Sequence, residues 1–162
     1  MQMLSDVDVL VADDSDDDAA TTIRALRQVA PDASIVRVKD GVDALHYLFA
    51  TGGYEGREPG SPRLILLDVY MPVMDGLAVL KIVRGHSLTE DIPVVLLSSS
   101  SNPLLIERAK KLGAADYRVK AFKFERFCAD VEHIARRYIP SDIQAPPPVE
   151  SSADMRWNGD AS

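Results

Sequence analysis

Basic residues are in short supply. Lys and Arg number 18 against 25 Asp and Glu in 162 residues, a formal net charge of −7. A protein whose main task is binding a phosphate backbone carries a basic face, so nucleic acid is set aside as a partner. There is one cysteine, Cys128, which excludes an internal disulfide framework and fits a reducing compartment. No apolar run approaches the roughly 20 residues of a membrane span, so no membrane association is expected. The opening "MQMLSDVDVLVADD" has no basic segment followed by an apolar stretch, so no signal peptide is expected there. These absences point to the cytoplasm. What is present is a 46% hydrophobic content, enough for a proper core, in a length that suits one domain.

Short apolar runs alternate with helical spacing. Val7–Ala12 is rich in valine, as a strand buried on both faces would be. Asp16–Val29 follows, with Ala19, Ile23, Leu26 and Ala30 near one face. Ile35–Val38 is a second strand, and Val42–Phe49 a short helix with Val42, Leu45 and Leu48 or Phe49 inward. "TGGYEGREPGSPR" (51–63) is a Gly/Pro-rich loop. "LILLD" (64–68) and "VVLLS" (94–98) are strands; a helix marked by Leu77, Leu80 and Val83 lies between them, and Pro103–Leu112 is the next helix. "ADYRVK" (115–120) is a more polar strand and therefore an edge. Phe124, Phe127, Val131, Ile134 and Tyr138 step by three and four along a final amphipathic helix. The pattern is (βα) five times. It implies an α/β fold with a doubly wound, five-stranded parallel sheet, for which the common strand order is 2-1-3-4-5. The domain spans 5–139. Residues 140–162, with a triple proline and little periodicity, read as a flexible tail; Trp157 is its odd feature.

The first run raises a question of charge, because "VLVADDSDDD" places five aspartates in positions 13–18. Ligands of open α/β sheets bind outside the carboxyl ends of the strands. The first strand ends at Asp13 and Asp14, the third at Asp68, the fourth at Ser98 and the fifth at Lys120. In the assumed strand order the three aspartates share one pocket, flanked by Ser98 and Lys120. Clustered carboxylates repel, so one takes a proton or a cation binds between them. All-oxygen ligands select Mg²⁺ or Mn²⁺ over zinc. A lysine and a hydroxyl beside the cation suit phosphoryl oxygens. Asp16, Asp17 and Asp18 stand where a helix begins, and the plain reading is that they cap it and favour its dipole.

"VLVADDS", "LILLDVYMPVMDG", "IPVVLLSSS" and "ADYRVKAF" resemble, in order and spacing, the receiver domains of two-component response regulators. The resemblance covers roughly residues 5–138. It implies that Asp68 is the phosphoacceptor, that Asp13 and Asp14 are the acidic metal pair, and that the Tyr70 backbone carbonyl completes the protein's share of the Mg²⁺ or Mn²⁺ shell. It further implies that Ser98 is the switch hydroxyl, Tyr117 the aromatic switch and Lys120 the phosphate-pairing lysine. The chain would take a phosphoryl group from a histidine kinase or a phosphotransfer protein. It would promote its own phosphorylation and dephosphorylation without being a conventional enzyme, and signal by binding other proteins. The family also allows a homodimer.

The long stretch "YLFATGGYEGREPGSPR" (47–63) resembles the extended loop of small single-domain regulators, including those paired with phytochrome kinases, and a loop that is merely variable is an equally good reading. Two departures stand out. Ala121 follows Lys120 where the family usually has proline, and a trans bond is expected there. Tyr70 is bulky for its position beside the pocket. Two alternatives carry a different chemistry. A haloacid-dehalogenase-type phosphohydrolase needs a second acid where Tyr70 stands. A receiver fold that only docks, without phosphorylation, is opposed by Asp68, Asp14 and Lys120.

Overall fold

The computed structural model describes residues 7–57, 59 and 62–146. The elements run β1 (Val9–Ala12), α1 (Asp16–Val29), β2 (Ile35–Val38), α2 (Gly41–Phe49), β3 (Leu64–Asp68), α3 (Gly76–Arg84), β4 (Val94–Ser98), α4 (Pro103–Lys111), β5 (Asp116–Val119) and α5 (Phe124–Tyr138). All strand pairs are parallel, in the order β2-β1-β3-β4-β5. The parallel sheet is the one expected from the alternation of runs, and its order is the common one assumed for such a sheet. Among the described residues no helix is long and apolar enough to cross a membrane.

The central strands β1, β3 and β4 are buried at every position, whereas β2 and β5 are partly open, as edges are. Alternate strand residues feed two cores. Leu10, Ile65, Leu67, Val94 and Leu96 pack with α2, α3 and Ala109 of α4. Val9, Val11, Leu64, Leu66 and Val95 pack under α1 and α5. Two helix faces differ in detail from their sequence expectation. In α2 the buried positions are Gly41, Ala44, Tyr47 and Leu48, with Val42 and Leu45 only partly covered. In α5 Phe124, the helix's first residue, is 46% exposed, with the Arg24 guanidinium of α1 over its ring at 5.2 Å.

Local chemistry fixes the strand ends that matter. Ser15 caps α1 and accepts the Asp18 N–H at 3.2 Å. The Arg37 guanidinium holds the Asp13 backbone carbonyl through Nε and Nη2, at 3.0 and 2.8 Å, and Asp16 through Nη1 at 2.8 Å. Arg37 thereby ties β1's end to the start of α1 from the neighbouring strand. After β3, the Gly76 N–H donates to the Val69 carbonyl at 2.8 Å, and Asp75 caps α3 by accepting from the Ala78 N–H at 2.9 Å. A Cβ on Gly76 would run into the Asp68 backbone carbonyl, so only glycine permits this return. Within the same loop the Met74 N–H donates to the Pro72 carbonyl at 2.7 Å. This closes a γ-turn on Val73, whose φ is 70°. The peptide bond after Lys120 is trans.

The loop after α2 is built on aromatic contacts. The Tyr54 ring meets Tyr47 edge-on at 5.1 Å, its hydroxyl donates to Asp43 at 3.2 Å, and Arg57 lies over the Tyr47 ring at 3.7 Å. At the other end of the chain, Ser141–Ile143 forms a single 3-10 turn. The Gln144 side chain donates to the Ile139 and Arg136 carbonyls at 2.6 and 3.1 Å, and the Ala145 N–H donates to the Val29 carbonyl of α1 at 2.6 Å. Trp157 lies outside the described residues.

Candidate functional site

The carboxyl ends of β1 and β3 bring Asp13, Asp14 and Asp68 together. One oxygen from each lies within 4.8 Å of the others. Asp13 and Asp68 are buried and Asp14 is exposed. Lys120, just beyond β5, reaches over this group. Its ammonium donates to Asp13 Oδ2 at 3.1 Å, Asp68 Oδ2 at 3.2 Å and Asp18 Oδ2 at 2.8 Å. The lysine is placed by its own backbone, whose N–H donates to the Ser98 carbonyl at 2.7 Å. The other oxygens of Asp68 and Asp13 are also bonded. Asp68 Oδ1 accepts from the Tyr70 N–H at 3.3 Å, and Asp13 Oδ1 accepts from the Ser15 N–H at 2.9 Å.

Burial dominates the titration of Asp68 and raises it. Lys120 pulls it back and the Asp13 charge pushes it up again, leaving it at about 6. Burial disfavours the Lys120 charge, but the hydrogen bond to Asp18 and the fields of Asp13 and Asp68 outweigh it. The ammonium is therefore held above its ordinary value. One lysine cannot neutralise a site so rich in carboxylates. The all-oxygen donor set of Asp13, Asp14 and Asp68 fits a hard divalent cation, Mg²⁺ or Mn²⁺.

Ser98 ends β4 fully buried, and its hydroxyl accepts the Ser100 N–H at 3.1 Å. Tyr117 is half-buried on β5 and donates its hydroxyl to the Ser100 carbonyl at 2.7 Å. Both side chains therefore meet the loop after β4. The Tyr70 side chain is 56% exposed, and its contact with the site is through its backbone.

Two residues of this constellation carried no such role in the sequence. Asp18, read as part of a helix cap, ion-pairs with Lys120, while Ser15 does the capping. Arg37, in the middle of an edge strand, fixes the Asp13 backbone. Neither contact has a local pattern, because the partners are far apart in the sequence.

A family model described as the response regulator receiver domain matches residues 9–132. The two-component response regulator ORR11 of Oryza sativa subsp. japonica is 34% identical over 132 residues, covering 82% of this chain and 80% of the rice protein. The solved structure of the phosphorylated cyanobacterial phytochrome response regulator RcpA superposes with a TM-score of 0.76 at 28% identity, covering 82% of this chain and 94% of that one. The Mn²⁺-bound form of response regulator Rcp1 gives a TM-score of 0.76 at 26% identity, with coverage of 87% and 98%.

Proposed function

The chain belongs to the response regulator receiver domains of two-component signalling, and on that footing we propose that Asp68 accepts a phosphoryl group from a histidine kinase or a phosphotransfer protein. The observation that carries this reading is the convergence of one lysine and two further carboxylates on Asp68 at the end of β3. An Asp68 oxygen forms a bond to phosphorus as the P–N bond of the donor phosphohistidine breaks. The electron pair of that bond returns to the imidazole nitrogen. Lys120, already 3.2 Å from Asp68 Oδ2, is placed to meet the negative oxygens of the arriving group. Asp13, Asp14, Asp68 and the Tyr70 backbone carbonyl would hold the divalent cation, Mg²⁺ or Mn²⁺. Such a cation, when bound, neutralises phosphoryl charge during transfer.

The Ser98 hydroxyl and the Tyr117 ring are the groups that report the event. Ser98 turns toward the new phosphoryl oxygens and gives up the Ser100 N–H, and Tyr117 follows it through the same loop. The output is altered protein binding on the β4–β5 side. A phytochrome-type kinase is the donor class we favour, since RcpA is a phytochrome response regulator. A homodimer is a second binding mode for the same switch. The setting is the cytoplasm.

The test is incubation with acetyl phosphate and Mg²⁺, followed by intact mass measurement. A single phosphoryl adduct, removed by hydroxylamine and absent in EDTA and in Asp68→Asn, is expected. An adduct retained by Asp68→Asn overturns the assignment. No adduct on the wild type, also with a histidine kinase as donor, leaves a fold that only docks.

A further inference from the structure

Lys120 has three N–H donors, and three aspartates take them. Two of these aspartates have other work in the phosphoryl reaction, Asp68 as acceptor and Asp13 at the cation. The third, Asp18, has the shortest contact, 2.8 Å. It stands at the rim, with 41% of its side chain exposed against 3% for Asp13 and 8% for Asp68. It is also held in place. The Ser15 N–H donates to Asp13 Oδ1, the Asp18 N–H donates to the Ser15 hydroxyl, and Lys120 donates to both Asp13 and Asp18. The four residues close a ring that spans the first turn of α1 and the end of β5.

We propose that Asp18 is a positioning residue for Lys120. Its carboxylate holds the ammonium from the solvent side, so that the N–H now on Asp68 is already aimed at the arriving phosphoryl oxygen. The inference rests on the reading of Asp68 as acceptor and Lys120 as its phosphoryl partner. A lysine ammonium is a point charge on a flexible four-carbon stem, so its position is set by the anions around it. Once Asp13 and Asp68 turn to the cation and the phosphoryl group, Asp18 is the carboxylate left to Lys120. Removing it frees the stem to swing outward at the moment the site needs it fixed. Asparagine at this position keeps an oxygen that accepts from the ammonium, whereas alanine keeps none.

The experiment compares wild type, Asp18→Ala, Asp18→Asn, Lys120→Ala and the Asp18→Ala/Lys120→Ala double variant. Two quantities are read: the phosphorylation rate from acetyl phosphate at saturating Mg²⁺, and Mg²⁺ affinity by calorimetry. Asp18→Ala is expected to be slower by about ten-fold, and Asp18→Asn to recover to within about three-fold of wild type. Mg²⁺ affinity should stay within about two-fold in both, and Asp18→Ala should add nothing to the loss caused by Lys120→Ala. A rate in Asp18→Ala equal to or above wild type overturns the proposal. So does an effect that multiplies with that of Lys120→Ala, or a loss of rate matched by loss of Mg²⁺ affinity. Where Asp18→Ala melts too low to assay, Asp18→Ser replaces it, with a side chain too short to reach the ammonium. Wild type that forms no adduct dependent on Asp68 sinks the parent reading instead, whatever Asp18 does.

Discussion

Asp68 is placed in a conflict of charge by the fold itself. Burial and Asp13 raise its carboxyl to about 6, from an ordinary 3.8, despite the lysine beside it. The folded chain therefore binds this proton more tightly than the unfolded chain does, and without a cation its contribution to stability falls as pH rises from about 4 to about 6. Such a displacement corresponds to ~3 kcal/mol, and solvent at the open rim of the site reduces it to ~1–2 kcal/mol. In EDTA at pH 7, Asp68→Asn is accordingly expected to melt above wild type by about 2–6 °C, with the two converging near pH 4. Thermal melts at both pH values check this, and equal melting at pH 7 would mean that the site stores no such repulsion. The acidic residues and Lys120 were legible in the sequence because each ends a strand. The Asp18–Lys120 pair was not, since 102 residues separate the partners and aspartates at a helix start have a sufficient local explanation.

At the scale of elements, the central strands were the easiest to read, because burial on both faces leaves uninterrupted apolar runs. Helix faces were read less well where small or aromatic residues take the buried positions, as Ala44 and Tyr47 do in α2. The turn between β3 and α3 holds two opposite backbone demands. Gly76 leaves no room for a Cβ beside the Asp68 carbonyl, so Gly76→Ala is expected to cost about 1–3 kcal/mol. The same change moves Asp68, so phosphorylation should slow with it. Val73 is a β-branched residue at φ 70° with 83% of its surface exposed. It loses little packing on truncation, and Val73→Gly is expected to gain about 0.5–1 kcal/mol. Urea midpoints measure both. A Gly76→Ala chain as stable as wild type, or a Val73→Gly chain less stable, would contradict the described turn.

For the whole molecule, the question is where the folded unit stops. The sequence places the boundary at Ile139, where periodicity ends. Aperiodic residues can still be fixed by backbone and amide hydrogen bonds, which leave no hydrophobic pattern to read. Gln144 and Ala145 are such residues, bonded to the ends of α5 and α1. Ending the chain at Ile139 is therefore expected to cost about 1–3 kcal/mol relative to ending it at Pro146, through the lost hydrogen bonds of Gln144 and Ala145 to Arg136, Ile139 and Val29. Comparison of the two truncations by urea unfolding decides this. Equal midpoints would put 140–146 outside the unit. We propose that the remaining residues, with Trp157, are dispensable for phosphorylation, so the Pro146 truncation should accept acetyl phosphate at the wild-type rate. A slower truncated chain would assign them a role.

The central claim is that the phosphoryl group comes to rest on Asp68. The most direct measurement is transfer from a phosphorylated histidine kinase, reduction of the acyl phosphate with borohydride, and sequencing of the tryptic peptides that carry Asp13, Asp14, Asp68 and Asp75. Homoserine at position 68, and at no other aspartate, is the predicted result. Reduction at Asp13, Asp14 or Asp75, or an unreduced Asp68 in a chain that has taken up the phosphoryl group, would contradict it.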